Sequence, residues 1–242
     1  DATGATTKVP PGGELWSFVP QEFYAGLQRL YKNDVALTLG ASTGSGKPYF
    51  FDGAPGVYYN RSSGKAYIYL SARRGGRLLY ALDVSDPATP KFMWKHTNAD
   101  IGFSELGQTW SQPKVAKIKG HTNPVLIFGA GYDTSEDAEP PIPDTMGRGI
   151  FVLDAVTGEL LWRAGPGASS GSCTGNPCLI SGMDYAIPAD ITLVDRDFDG
   201  LIDRLYAADT GGKIWRVGLQ PTGTGDVSHR QTAQLDALGG TG

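Results

Sequence analysis

The sequence predicts an all-β protein: a β-propeller, partial or modified, of four-stranded antiparallel blades with long insertions and one inserted helix. Three observations carry this. Gly and Pro fill 50 of the 242 positions, well above the roughly 12% of average usage, which suits short strands and tight turns better than a helical bundle. Apolar residues make up 40% of the chain, 25 of its residues being aromatic, more than a coreless chain carries. One segment, a Gly-containing turn leading into an apolar-aromatic strand, recurs four times, and such internal repetition identifies a repeat architecture.

The four copies are Gly12–Phe18, Gly76–Asp83, Arg148–Asp154 and Gly212–Val217. Their aromatics Trp16, Tyr80, Phe151 and Trp215 are spaced 64, 71 and 64 residues apart. After the first copy, Pro20 can start a helix whose stripe Phe23, Leu27, Leu30 and Tyr31 runs up to Asn33. This helix is expected to pack its stripe against a blade; the alternative is a partner-binding helix. Each later copy is preceded by two strands: Gly56–Tyr59 and Ala66–Leu70, Pro113–Ile118 and Val125–Gly129, Ala189–Val194 and Leu205–Ala208. Two copies continue into a fourth, at Lys91–Trp94 and Glu159–Trp162. Each unit is then a meander that cannot bury both faces alone, and stacking such sheets around an axis buries them. The first copy begins at its third strand and the last ends after its third, giving two complete blades and parts of two more. Residues 1–242 are therefore read as one domain, a piece of a larger propeller rather than a four-bladed ring, with 1–11 and 220–242 as flexible ends. The start at Asp1, without a Met or a signal peptide, reads as a processed or excised form.

Composition excludes several functions. With 21 basic against 25 acidic residues the net charge is −4, and no basic cluster suited to phosphates is present, so no nucleic-acid partner is expected. No apolar run approaches the ~18 residues of a membrane-spanning segment. Cys173 and Cys178 flank Thr-Gly-Asn-Pro. This spacing can close a small disulfide ring and lacks a zinc pattern; the alternative is two unpaired thiols. A disulfide implies an oxidising compartment.

The sharpest motif is Asp195-Arg196-Asp197-Phe198-Asp199-Gly200-Leu201-Ile202-Asp203. Calcium takes six to eight hard oxygen ligands. A loop curling around the ion turns alternate residues inward, which places Asp195, Asp197 and Asp199 on the metal and the Leu201 carbonyl at the seventh position. Gly200 permits the turn, and Asp203 closes the shell. Position 12, where an EF-hand needs Glu, is Tyr206. The loop is thus a nine-residue calcium hairpin, against the plainer reading of a solvated acidic turn. Magnesium suits it less, since that ion keeps its waters.

Other features are weaker. The acidic stretch Asp133–Glu139 is expected to be a solvated insertion, with a weak metal site or a partner surface as alternatives. Arg73-Arg74-Gly75-Gly76-Arg77 reads as a basic turn. Gly167-Ala168-Ser169-Ser170-Gly171 matches Gly-x-Ser-x-Gly without a strand-to-helix elbow. Gly44-Ser45-Gly46-Lys47 is followed by Pro48 and fails as a P-loop. No nucleophile–base pair emerges, so no enzyme is expected.

Tyr49–Pro55, Trp110-Ser111-Gln112-Pro113, Phe128–Asp133 and above all Asp195–Arg216 together resemble the C-terminal propeller of the PilY/PilC family of type IV pilus biogenesis factors and tip adhesins, over roughly residues 12–219. The most specific part is the acidic loop followed by Tyr206-x-x-Asp209-Thr210-Gly211-Gly212-x-x-Trp215-Arg216. The resemblance implies a bacterial surface protein, exported through the periplasm to the outer membrane or pilus tip. It implies promotion of pilus assembly against retraction, regulated by calcium at this loop, with support of attachment and twitching motility. Implied partners are pilus components (minor pilins or the pilus tip) and host-surface ligands; the Arg-Gly-Asp tripeptide of some members is absent. Two rivals are a host-receptor or glycan-binding module and a quinoprotein dehydrogenase fragment. The second needs adjacent cysteines, which this chain lacks.

Overall fold

The computed structural model describes residues 9–32, 48–140, 142–169, 172–173, 175–219 and 231–237. Three antiparallel meanders succeed one another. The first is β1 (Gly56–Asn60), β2 (Lys65–Ser71), β3 (Leu78–Asp83) and β4 (Lys91–Thr97). The second is β5 (Lys114–Ala116), β6 (Val125–Gly129), β7 (Ile150–Asp154) and β8 (Leu160–Ser169), and β10 (Cys178–Ile180) adds to β8 in parallel. The third is β11 (Thr192–Val194), β12 (Arg204–Ala208), β13 (Lys213–Gly218) and β14 (Gln231–Ala237), with β9 (Ser172–Cys173) against β14.

Two expectations change. The third sheet is complete, because β14 pairs with β13 from within the stretch read as a flexible end. The first copy is not a strand: residues 13–20 are irregular. No strand among the described residues pairs with them, and their aromatics cover the first sheet instead. Trp16 Nε1 donates to the Pro87 carbonyl at 2.9 Å, and Phe18 meets Tyr80 edge-on at 5.5 Å. The described residues therefore contain three full blades rather than two and two parts.

Strict alternation explains how the blades stack. In β7, Ile150 and Val152 face the core shared with the third sheet, while Phe151 and Leu153 face the core shared with the first. β6 divides in the same way, with Val125 and Ile127 against Leu126 and Phe128. A sheet apolar on both faces must be covered on both, so the second blade is the middle layer. The repeat extends to its irregularities: a register shift falls at Ala81/Leu82 in the first blade and at the aligned Val152/Leu153 in the second. Asp83 and Asp154, which end the equivalent strands, both close the following turn, accepting from the amides of Ser85 at 2.8 Å and of Val156 and Thr157 at 2.8 Å.

Polar bonds cross the blade boundaries. Tyr69 Oη at 2.9 Å and Trp94 Nε1 at 3.2 Å both donate to the Ala155 carbonyl. At the start of β1 the approach is close enough that a Cβ on Gly56 would sit 2.3 Å from the Pro113 carbonyl oxygen.

The expected helix forms as a 3-10 turn, Gln21–Phe23, leading into α1 (Tyr24–Lys32); Asn33 lies outside the described residues. Its expected packing is corrected. Phe23 alone is buried, edge-on to Phe50 and Phe51 at 5.0 and 5.1 Å, while Leu27, Leu30 and Tyr31 are exposed. A polar anchor adds to Phe23: Glu22 accepts from Tyr80 Oη and Lys95 Nζ, each at 2.6 Å.

Candidate metal centre

The Asp195–Asp203 loop connects β11 to β12. The pairing of Val194 with Arg204 sets Asp195 and Asp203 across the hairpin base, where the Asp203 amide donates to the Val194 carbonyl at 3.0 Å. Beyond that base the loop curls on its own carboxylates. Asp195 accepts from the amides of Phe198 at 2.7 Å and Gly200 at 2.9 Å, and Asp199 accepts from Leu201 at 2.8 Å. Phe198 at φ 60° and Gly200 at φ 86° occupy the left-handed region, which bends the chain back within five residues.

Carboxylate oxygens of Asp195, Asp197 and Asp203 converge within 4.8 Å of one another. Asp195 is half-buried, Asp197 exposed and Asp203 buried. Asp199 is exposed and stands outside this group, its Oδ1 occupied with the Leu201 amide; Leu201 is half-buried. Three hard carboxylates on one side of a tight loop are a donor set that suits a divalent cation taking oxygen ligands, with carbonyls and waters to complete the shell. Asp203 also has a structural task, since its Oδ2 accepts from the Arg196 amide at 2.6 Å and its carbonyl from the Leu219 amide at 2.6 Å.

The hairpin is tied to the neighbouring blade. The Ile202 amide donates to the Lys117 carbonyl at 2.8 Å. An open groove of about 310 Å³ runs beside it, lined by Tyr58, Val115, Pro124, Leu193 and Ile202 among others. Residues from all three sheets thus meet beside the loop.

The second acidic stretch is not a solvated insertion. Asp133 is buried at 2% exposure and accepts from the amides of Ser135 at 3.0 Å, Thr145 at 2.6 Å and Met146 at 3.1 Å. Burial raises its pKa, but these bonds outweigh that and hold the carboxyl below its ordinary value. Asp137 receives Arg74 through both guanidinium nitrogens, at 2.5 and 2.7 Å. Arg73 and Arg74 also lie over Trp110, at 4.4 and 5.5 Å from its ring centre. Arg73 and Arg74 of the basic turn are therefore engaged within the protein itself.

Several residues of the recognised segments prove to fix strands within a blade or to bridge two blades, which their spacing alone did not reveal. Ser111 Oγ accepts from the Gly129 amide at 3.0 Å, and Gln112 Nε2 donates to the Pro55 carbonyl at 3.0 Å. Asp209, in the Asp-Thr-Gly-Gly turn, accepts from the Lys213 amide and Trp215 Nε1, each at 2.8 Å; its burial nevertheless pushes the carboxyl above its ordinary value. Cys178 is fully buried, and no cysteine among the described residues is a free thiol; the Cys173 side chain lies outside them. Gly167–Ser169 belong to strand β8, so they form no nucleophile elbow; Ser170, Gly171 and Gly44–Lys47 lie outside the described residues.

The family model of the PilY1 beta-propeller domain matches residues 14–236. The chain belongs to the PilY1 β-propeller family. Type IV pilus biogenesis factor PilY1 of Pseudomonas aeruginosa is 28% identical over 214 residues, which cover 86% of this chain and 15% of that protein. A PilY1 homolog of Xylella fastidiosa is 27% identical over 208 residues, 85% of this chain and 14% of that protein. The chain thus spans about a seventh of the length of these curated relatives. The crystal structure of the Pseudomonas aeruginosa PilY1 C-terminal domain matches with a TM-score of 0.58 at 23% identity, over 86% of this chain and 35% of that one; the likeness is one of fold. No helix among the described residues is long and apolar enough to cross a membrane.

Proposed function

We propose that this PilY1-type propeller is a calcium-binding, non-enzymatic part of a type IV pilus biogenesis factor, promoting pilus assembly against retraction and supporting surface attachment and twitching motility. The observation that carries the reading is the convergence of Asp195, Asp197 and Asp203 within 4.8 Å. Without an ion, three carboxylates held this close repel one another; calcium would offset that repulsion and stiffen the hairpin. Asp199 and the Leu201 carbonyl are proposed to complete the shell. A surface built on the hairpin, which is bonded to the second blade through Ile202, would then form only with calcium. The proposed place is the bacterial surface, at the outer membrane or pilus tip, and the proposed partners are pilus components and host-surface ligands. A Cys173–Cys178 disulfide belongs to the same reading, supported by the complete burial of Cys178.

Calorimetric titration of chelator-treated protein with calcium tests the site. A single saturable site lost in Asp197→Ala supports it; the absence of heat in the parent chain removes it. Twitching motility of a strain whose full-length protein carries Asp197→Ala tests the pilus role, and unaltered motility would refute it.

A further inference from the structure

The strands that open the three sheets begin side by side. A Cβ on Gly56, at the start of β1, would sit 2.3 Å from the Pro113 carbonyl oxygen just before β5. The Gln112 amide donates to the Asp190 carboxylate, just before β11, at 2.7 Å. Each opening strand turns back into the next one of its sheet. The β1–β2, β5–β6 and β11–β12 turns therefore gather at the opposite end, where the Ile202 amide meets the Lys117 carbonyl at 2.8 Å. The groove of about 310 Å³ opens at this end, between Tyr58 of β1, Val115 of β5, Pro124, Leu193 of β11 and Ile202 of the acidic hairpin. The Tyr58 wall is already fixed: its ring stacks on Tyr67 at 5.5 Å, and its hydroxyl accepts from Asn60 Nδ2 at 3.2 Å.

The three turns, residues 61–64, 117–124 and 195–203, carry four cations, Arg61, Lys117, Lys119 and Arg196. They also carry four carboxylates, Asp195, Asp197, Asp199 and Asp203. All four cations are exposed, and among the described residues none is paired with a carboxylate. Lys117 lines the groove itself. His121, the other titratable group of these turns, is held by Asp154 at 2.8 Å. Without an ion the formal charge of the three turns is zero; with one calcium ion it is +2. A polyphosphate or polysulfate needs a denser field of cations than this and gains nothing from an apolar groove. An acidic peptide can use both features.

We propose that this groove docks an acidic segment of a partner protein, with an apolar side chain seated between Tyr58, Val115 and Ile202 and carboxylates facing Lys117, Lys119, Arg61 and Arg196. The inference rests on the calcium reading of the hairpin in one respect: the ion offsets the repulsion between the aspartates and the segment, so docking tightens with calcium. Phe198, 89% exposed and two residues before the Gly200 wall of the groove, offers a second apolar contact. An apolar centre with a charged rim is the ordinary build of a protein interface, and its rim charges select partners of opposite sign.

The test is fluorescence anisotropy of a fluorescein-labelled hexapeptide, Asp-Glu-Leu-Glu-Phe-Asp, titrated with the chain in calcium and in chelator. Saturable binding is expected in calcium. It should be at least about tenfold weaker in chelator, in the Lys117→Glu, Lys119→Glu double variant, and for a peptide with serine in place of its Leu and Phe. Both lysines are exposed and make no ion pair, so the double variant should fold; the serine peptide tests the groove on the unaltered chain in any case. The absence of binding in calcium, or binding that ignores the lysine and serine replacements, overturns the proposal. Displacement by heparin together with equal binding of the serine peptide would assign the surface to polyanions and overturn it too. Calorimetric titration of the same samples with calcium separates the two readings. Calcium heat without peptide binding removes the docking groove alone. Peptide binding indifferent to chelator, with no calcium heat, removes the calcium site and its coupling while the groove stands.

Discussion

Two aspartates of the proposed calcium shell should separate structure from binding. Asp197 is exposed, and no hydrogen bond of the loop uses its carboxylate. Asp203 is buried and holds the Arg196 amide at 2.6 Å. Removing the charged acceptor of this part-buried bond costs about 1.5–3 kcal/mol. For a chain of this size that is a fall of roughly 3–12 °C in melting temperature. Asp203→Ala should therefore unfold earlier even in chelator. Asp197→Ala should stay within about 0.5 kcal/mol of the parent there, as surface substitutions do. Calcium at a hundredfold excess over its Kd adds about 2.7 kcal/mol to the parent, and both variants should lose that gain. The assay is urea unfolding followed by tryptophan fluorescence, with and without calcium. Equal destabilisation of both variants in chelator would refute the division of labour. Retention of the full calcium increment by Asp197→Ala would refute its place in the shell.

Other outcomes follow from the same geometry. Asp133→Ala should cost about 3 kcal/mol by leaving amides of the β6–β7 insertion unpaired, measured by denaturant unfolding. Because the Asp133 carboxyl is held below its ordinary 3.8, its contribution is present above that value and lost as pH falls through the folded one, so Asp133→Asn should flatten the acid limb of the stability curve. Tyr69→Phe should cost about 1 kcal/mol, and Tyr69→Phe with Trp94→Phe more than the sum of the two, since both donors serve the Ala155 carbonyl; a double-mutant cycle reads the excess. Gly158→Ala should destabilise by more than about 1 kcal/mol, because Gly158 has φ 79° and its Cβ would lie 2.7 Å from Trp94 Cγ; thermal melting checks this.

The repeating strand pattern was legible because a sheet buried on both faces needs apolar residues on both, as Ile150–Leu153 and Val125–Phe128 are. The acidic loop was legible because turn glycine and alternate carboxylates are local features. Three of its four aspartates do converge; Asp199 does not, because a side chain can instead cap the adjacent turn, which spacing does not report. The irregular path of residues 13–20 and the exposed stripe of α1 went unread for a different reason. An apolar-aromatic run becomes a strand only if another strand lies beside it, and that neighbour is a matter of tertiary placement.

The sequence by itself determined the order of the strands of the three meanders up to β13, without β9 and β10, the turn that ends each repeat, and the hairpin that carries the aspartates. All of these rest on interactions between residues close along the chain or on a period of two. Only the tertiary structure decided which polar groups weld one blade to the next. Arg74 with Asp137, Asp144 with Thr210, and Gln112 with the Pro55 carbonyl join residues 57 to 66 positions apart. Their pairing depends on how three sheets stack, because a charge or hydroxyl carries no mark of its distant partner until burial makes an unpaired one costly.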